Sequence, residues 1–265
     1  MLAEQRQEAI LELVLRNGAV RVSDLVQNLE VSDMTIRRDL GVLADAGLVQ
    51  KVHGGATRVA DSPSYEPRFT AKAALQQGEK HAIAAAAASL VEPGSAIAMS
   101  AGTTTHALAN ELVDVPGITV VTNSIHIADI LYTNGRTDQT VLLTGGIRTP
   151  SDALVGPVAI NALAELHVDL VFIGVHGMSP DTGFTTPNLR EAETNRALIG
   201  SGRRLVVVTD HSKWGVVGIS TIARLNQADI LITDEGLDPD AREALESTVG
   251  ELIIVRATPE SRIVG

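Results

Sequence analysis

Two stretches of this 265-residue sequence carry residue types and spacings suited to holding phosphate and base edges. The first is Ser32-Asp33-Met34-Thr35-Ile36-Arg37-Arg38. Placed on a helix at about 100° per residue, Ile36, Leu40 and Leu43 share one side. Met34 and Arg38 then face the opposite way, and Thr35 and Arg37 flank them. An arginine so presented can take a guanine edge with two hydrogen bonds, and a threonine can meet a base edge or a thymine methyl. Ser32, as the residue that caps the helix, and the free N–H groups behind it suit a backbone phosphate. Asp39 lies beside the apolar side and is expected to hold a structural partner. Lys51, His53 and Gly54 follow on a short hairpin whose tip can approach a duplex closely.

The second stretch is Ser100-Ala101-Gly102-Thr103-Thr104-Thr105. A strand, a glycine turn and a threonine-rich helix start form an anion site, because the backbone can come close and unpaired N–H groups point outward. It lacks both the Gly-Lys-Ser/Thr of a Walker loop and the three-glycine spacing of a dinucleotide fingerprint. Further polar or glycine residues end other apolar runs: Asn123 and Ser124, Gly145 and Gly146, His176, and Asp210-His211-Ser212-Lys213. Ligands of open parallel sheets gather outside such strand ends. Lys213 is a candidate phosphate partner, and His176 and His211 are candidate lining residues. No His-x-x-x-His pair and no Gly-x-Ser-x-Gly elbow occurs, so no metal, cofactor or hydrolase triad is expected. Glu191, Glu193, Asp210 and Asp234 are the carboxylates available to an isomerase-type base. Glu191 and Glu193 are instead expected to answer Arg190 and Arg196 on their own helix.

The elements that must position these groups are legible in the apolar periodicity. Residues 6–15 and 33–46 read as helices, with a second short helix between them capped by Ser23. Runs 48–53 and 56–59 around Gly54-Gly55 read as a hairpin. Three helices and a hairpin outline a winged helix-turn-helix. A polar, proline-bearing linker spans 61–77. Beyond it, helical segments alternate with runs at 96–99, 118–121, 140–143, 170–175, 205–208, 230–232 and 252–255, the pattern of parallel βαβ units. The expected organisation is thus an α+β winged helix-turn-helix over 1–60 and an α/β domain with a mostly parallel sheet over 78–265.

Composition agrees. Hydrophobic residues make up 45% and aromatics 2%, so the core must be aliphatic. There is no cysteine, which excludes disulfides, a thiolate metal site and a thiol nucleophile. The N-terminus lacks a signal-peptide pattern, and the most apolar helical stretch, 81–91, is too short to cross a bilayer. A cytoplasmic protein without a membrane partner is expected. The net charge of -11 opposes nucleic-acid binding by the chain as a whole. Residues 1–60 hold seven Lys/Arg against eight Asp/Glu, a net of -1, so attraction to DNA must come from local clustering. A single such headpiece binds weakly, and pairing adds avidity, so a homodimer or homotetramer on repeated half-sites is expected.

The run from Val31 to Leu40, followed by Gly47-Leu48-Val49-Gln50-Lys51-Val52-His53-Gly54-Gly55-Ala56, resembles the signature of the DeoR-type (DeoR/GlpR) regulators of sugar metabolism. Gly102-Thr103-Thr104-Thr105, Thr122-Asn123-Ser124, Thr144-Gly145-Gly146, Gly183-Phe184-Thr185, Glu191-Ala192-Glu193 and Asp210-His211-Ser212-Lys213 follow in the family's order. The resemblance implies a recognition helix and wing acting through Ser32, Met34, Thr35, Arg37, Arg38, Lys51, His53 and Gly54. It also implies a second domain similar to ribose-5-phosphate isomerase that takes a phosphorylated sugar as effector. The implied activity is repression of carbohydrate catabolism at a double-stranded operator. Ser100 stands where family members commonly carry Asp, and Asn195 where many carry Lys, so two charges are missing beside the implied effector site. The alternatives are a sugar-phosphate isomerase with an appended helical domain, and a regulator whose effector site is silent.

Overall fold

A computed structural model describes residues 3–45, 47–58, 69–73 and 75–257. The chain divides into two compact units, Met1–Leu75 and Gln76–Gly265. Of the span read as a linker, residues 61–68 lie outside those described, Phe69–Ala73 form a short helix, and a further helix opens at Gln77.

The first unit runs α1 (Ala3–Asn17), β1 (Ala19–Arg21), α2 (Val22–Leu29), α3 (Asp33–Asp45), β2 (Val49–Val52), β3 (Gly55–Arg58) and α4 (Phe69–Ala73). Its core gathers Ile10, Leu11 and Val14 of α1, Val22 and Leu25 of α2, Ile36, Leu40 and Leu43 of α3, and Val49 and Ala56 of the hairpin. These positions recur at helical spacing, so each helix seals its apolar stripe against the others. Asp39, also on the inner side of α3, is 3% exposed and is held by Arg6 Nε at 2.6 Å and Gln7 Nε2 at 3.0 Å.

Three local expectations need correcting. Ser23 does not cap α2: the capping position is Arg21, two residues earlier, and the Ser23 hydroxyl donates to Asp24. The hairpin turn is His53-Gly54, with Gly54 at φ +81°, and Gly55 already belongs to β3. The headpiece sheet has three strands in the order β1-β3-β2. The added strand, β1, pairs Arg21 with Gly55, where a Cβ would sit 2.0 Å from the Val20 carbonyl oxygen, so only glycine fits.

The second unit contains α5 (Gln77–Ala88), β4 (Ala96–Met99), α6 (Thr103–Glu111), β5 (Thr119–Thr122), α7 (Ile125–Asn134), β6 (Thr140–Leu143), β7 (Ile147–Arg148), β8 (Leu154–Val155) and α8 (Pro157–Leu163). It continues with β9 (Val168–Gly174), β10 (Gly177–Ser179), β11 (Gly183–Thr186), α9 (Leu189–Gly200), β12 (Gly202–Val208), β13 (Ser220–Ala223), β14 (Ile230–Asp234), α10 (Pro239–Glu246) and β15 (Glu251–Val255). All seven apolar runs enter one parallel sheet, ordered β15-β14-β12-β9-β4-β5-β6. Both faces are covered, as a parallel sheet requires. Ile83, Leu108 and Ile127 of α5, α6 and α7 pack on one side, and Leu163, Leu198 and Leu245 of α8, α9 and α10 on the other. The hairpin β7–β8 and the antiparallel sheet β10-β11-β13 stand outside this frame.

The strand order sets the place for a ligand. From β4 the chain winds outward through β5 and β6. It then returns to β9 on the other side of β4 and winds away through β12, β14 and β15. The winding direction therefore reverses between β4 and β9, and the carboxyl ends of those two strands flank the crevice where such sheets hold ligands.

Candidate nucleic-acid interface and effector site

Helix α3 presents a stripe one turn apart per residue: Met34, Arg38 and Val42, of which Met34 is 81% exposed and Val42 47%. Arg38 is exposed, and Arg37 lies beside the stripe, also exposed. The opposite side is closed by Ile36, Leu40 and Leu43, so the helix cannot turn without opening the core. Ser32 caps α3: its hydroxyl accepts the Thr35 N–H at 3.2 Å and shares a 2.8 Å bond with the Thr35 hydroxyl. Both hydroxyls are thus oriented by each other while Ser32 remains exposed. Gly47, at φ +75°, ends the helix, and the Leu48 N–H returns to the Leu43 carbonyl.

Lys51 lies on β2 rather than at the wing tip, and its ammonium reaches back over α3, 3.8 Å from where a Gly41 Cβ would stand. That places its charge over the α3 position one turn along from Arg37. His53 and Gly54 form the wing turn, fixed to the start of α2 by a 2.9 Å bond from the Val22 N–H to the Gly54 carbonyl. A cleft of about 330 Å³ lies between this turn and β1, and it brings Arg21 and Asp24 beside His53. The placing of Arg21 beside His53 was not foreseen, because no signal in the sequence announces the three-residue β1. The Asp33–Arg37 ion pair was also missed, although its i, i+4 spacing is a readable sign.

At the ends of β4 and β9 the chain is tightly tied. Ser100 is fully buried, and its hydroxyl accepts the Gly174 N–H at 3.1 Å, clipping the two strands together where the winding reverses. Gly102 lies alongside: a Cβ there would be 3.0 Å from the Thr105 hydroxyl and 3.9 Å from Gly174 Cα. Thr103 opens α6 and is half-buried, whereas Thr104 and Thr105 are buried, and the Thr105 hydroxyl donates back to the Gly102 carbonyl. Asn123 is buried with its amide joining neighbouring loops, accepting from the Ala101 N–H at 2.8 Å and donating to the Leu154 carbonyl at 3.1 Å. Ser124 caps α7 through the Ile127 N–H.

Gly145 and Gly146 follow β6 at φ +72° and +124°, and a Cβ on Gly146 would meet the Val155 carbonyl at 2.6 Å. His176 follows β9 and is half-buried, with its N–H bonded to the Thr185 carbonyl. Lys213 stands 4.0 Å from the buried Asp210 carboxylate. Ser100, Asn123, Ser124 and Thr105 therefore shape the loops, and Gly102, Thr103, His176 and Lys213 have the more accessible positions.

Two carboxylates are engaged in ways the sequence did not foretell. Glu191 accepts from the hydroxyls of Thr149, Ser151 and Thr186, which ties α9 to the segment between β7 and β8. Asp234 accepts from the His211 ring at 2.6 Å, from the His211 N–H at 2.8 Å and from the Gly236 N–H at 2.9 Å. Bonding to Asp234 raises the His211 imidazole above its ordinary pKa, against the opposing effect of burial. Burial pushes Asp234 upward, but the hydrogen bonds outweigh it and its carboxyl titrates below the ordinary range.

A raised histidine pKa contributes stability that is complete below about pH 6.5 and is lost as pH rises through the folded value; a lowered carboxyl pKa contributes above about pH 4 and is lost on acidification. The pair is therefore most stabilising between about pH 4 and 6.5. Replacing His211 by Asn is expected to lower Tm most in that window, with the gap to wild type closing as pH rises through the raised histidine value. Thermal melts at half-unit pH steps check this, and a gap that widens with pH contradicts it.

Among the described residues no three His, Asp or Glu side chains lie close enough to hold a metal ion, and no helix is long and apolar enough to cross a membrane.

A model of the DeoR-like helix-turn-helix domain matches residues 6–62, and a model of the DeoR C terminal sensor domain matches residues 75–235. The chain belongs to the DeoR family. Its relatives are transcriptional regulators. The uncharacterised HTH-type transcriptional regulator YgbI of Escherichia coli (strain K12) is 38% identical over 97% of this chain and 99% of that protein. The glycerol-3-phosphate regulon repressor of the same strain is 31% identical over 88% of this chain and 92% of that protein. Among solved structures, ribose 5-phosphate isomerase A of Methanocaldococcus jannaschii aligns at a TM-score of 0.36 and 17% identity, over 51% of this chain and 53% of that one. This DeoR-family regulator thus joins a DNA-binding headpiece to a sensor domain.

Proposed function

We infer that this DeoR-family regulator represses a carbohydrate catabolic operon in the cytoplasm and releases it when the sensor domain binds a phosphorylated sugar. The observation that carries the DNA half is the outer face of α3, where Met34, Arg38 and Val42 stand exposed with Arg37 and Lys51 alongside. In this reading Thr35, Arg37 and Arg38 meet base edges, and Ser32, Lys51, His53 and Gly54 meet the backbone. The reversal of winding between β4 and β9 supports the effector half, because it gathers Gly102, Thr103 and His176 at one crevice mouth. A relative named for a glycerol-3-phosphate regulon supports a phosphorylated carbohydrate as the ligand class.

Residues 1–60 are assigned to the operator, 78–265 to effector and assembly, and 61–77 to the connection. The near-neutral headpiece supports a dimer or tetramer, since two weak headpieces on one assembly bind with avidity. Effector binding then works only if its affinity differs between the DNA-competent arrangement and the other.

Selecting bound fragments from genomic DNA tests the first half; recovered sites are expected to lie beside genes of sugar catabolism. The second half is tested by melting the full chain with a panel of sugar phosphates. One compound is expected to raise Tm in proportion to the logarithm of its concentration and to weaken fragment binding. A panel without any shift favours a silent effector site. Interconversion of pentose or hexose phosphates at enzyme-like rates displaces the regulator reading in favour of an isomerase.

A further inference from the structure

We propose that Asp33 is the residue that sets how Arg37 reads DNA: its carboxylate holds one edge of the guanidinium so that the other edge alone faces a guanine. The inference rests on α3 being the recognition helix and goes beyond it by naming a specificity-determining residue that is itself acidic. Asp33 Oδ1 accepts from Arg37 Nε at 2.5 Å and Oδ2 from Arg37 Nη2 at 3.3 Å. A guanidinium has five N–H groups in a rigid plane. The carboxylate takes the side edge, Nε and one N–H of Nη2, which leaves the end edge formed by Nη1 and the second N–H of Nη2. Two parallel donors on that edge match the O6 and N7 acceptors of guanine in the major groove.

Among the described residues the pair is built by these two side chains alone. Their side chains are 59% and 58% exposed, so neither is wedged in place by the core. An exposed i, i+4 pair contributes little to folding. A bare carboxylate on a face that approaches phosphates opposes binding, whereas one neutralised by Arg37 does not. The pair also fixes a long side chain before DNA arrives, so less rotamer freedom is lost on complex formation. A helix-dipole role for a first-turn acid predicts an effect on stability only. Positioning predicts an effect on sequence discrimination.

The test uses the full-length chain and a duplex selected from random sequence by the wild-type protein, together with variants of that duplex in which each guanine is replaced in turn. Binding is measured by fluorescence anisotropy across a salt series for wild type, Asp33→Ala, Asp33→Glu, Arg37→Ala and the Asp33→Ala/Arg37→Ala pair, with melting curves alongside. Arg37→Ala is expected to lose discrimination at one guanine by on the order of tenfold or more. Asp33→Ala is expected to lose it at the same guanine, to bind unrelated DNA as well as wild type or better, and to melt within a few degrees of wild type. Asp33→Glu is expected to restore part of the discrimination; once Arg37 is absent, Asp33→Ala is expected to cost no further discrimination and to regain some affinity for every duplex, because the freed carboxylate is gone.

Full discrimination by Asp33→Ala, with Arg37→Ala impaired, overturns the positioning role and leaves the recognition helix standing. A uniform loss by Asp33→Ala across all duplexes overturns it as well. Full discrimination by Arg37→Ala removes the reading on which the inference rests.

Discussion

Alanine at both Arg37 and Arg38 is expected to weaken operator binding by roughly 10²- to 10⁴-fold, on the basis of about 1–3 kcal/mol for each lost base contact. The loss belongs to the interface and not to folding. Both side chains are exposed on α3, while Ile36, Leu40 and Leu43 close the other side of the same helix. Alanine is the best helix former, so α3 persists in the double variant. Removing Arg37 also frees the Asp33 carboxylate to face the duplex, which adds repulsion to the lost contact. Gel shifts at physiological salt measure the effect, and a salt series separates its two possible origins. Base contacts lower specific binding with the salt slope little changed; phosphate contacts lower specific and unrelated DNA alike and reduce the slope by nearly one unit per arginine. Unchanged operator affinity removes α3 from the interface.

How much of this could be read before the structure depends on the range of the interaction. Every strand of the large sheet is an aliphatic run at a readable position, since a parallel sheet buries both faces and leaves little alternation to confuse with a helix. The stripe Ile36, Leu40, Leu43 fixes the side α3 buries, and with it the side that carries Met34 and Arg38. Short-range chemistry also gave the Ser32 cap and the stop at Gly47.

What escaped depends on partners far away in the sequence. β1 is three residues long and passes into α2 without a turn residue, so its place is fixed only by pairing with β3. That pairing also divides the Gly54-Gly55 doublet, one glycine for a left-handed turn and the other for the close approach of β1. Ser23 had the composition of a cap, but the β1–β3 ladder ends at Arg21 and sets the helix start there. Glu191 had arginines within a turn or two of its own helix and instead took hydroxyls from Thr149, Ser151 and Thr186, the first two some 40 residues away. At the proposed effector site, the loops named from sequence do follow strand ends. Sequence could not tell an accessible Gly102 or Lys213 from Ser100 and Asn123, whose polar atoms join strand to strand and loop to loop.

The headpiece has a second sensitive point, on the inner side of the same helix. Asp39→Ala is expected to destabilise the winged domain, because it takes a buried acceptor away from Arg6 and Gln7. The side chains of Arg6 and Asp39 are 11% and 4% exposed, and the carboxylate joins α1 to α3 through Arg6 Nε at 2.6 Å and Gln7 at 3.0 Å. Folded domains of this size are stable by roughly 3–9 kcal/mol, at 0.05–0.15 kcal/mol per residue. That margin is small, so operator binding falls with headpiece stability although no DNA-facing residue has changed. Calorimetry is expected to show the headpiece transition lowered or gone while the sensor-domain transition keeps its wild-type Tm. Pairing Asp39→Leu with Arg6→Met tests the cause. If the damage comes from the charged Arg6 losing its carboxylate, the apolar pair recovers much of the stability that the single change removes. If the double variant melts as low as Asp39→Ala, the contact acts through the shape it imposes on α1 and α3, and charge burial is not the reason the headpiece fails.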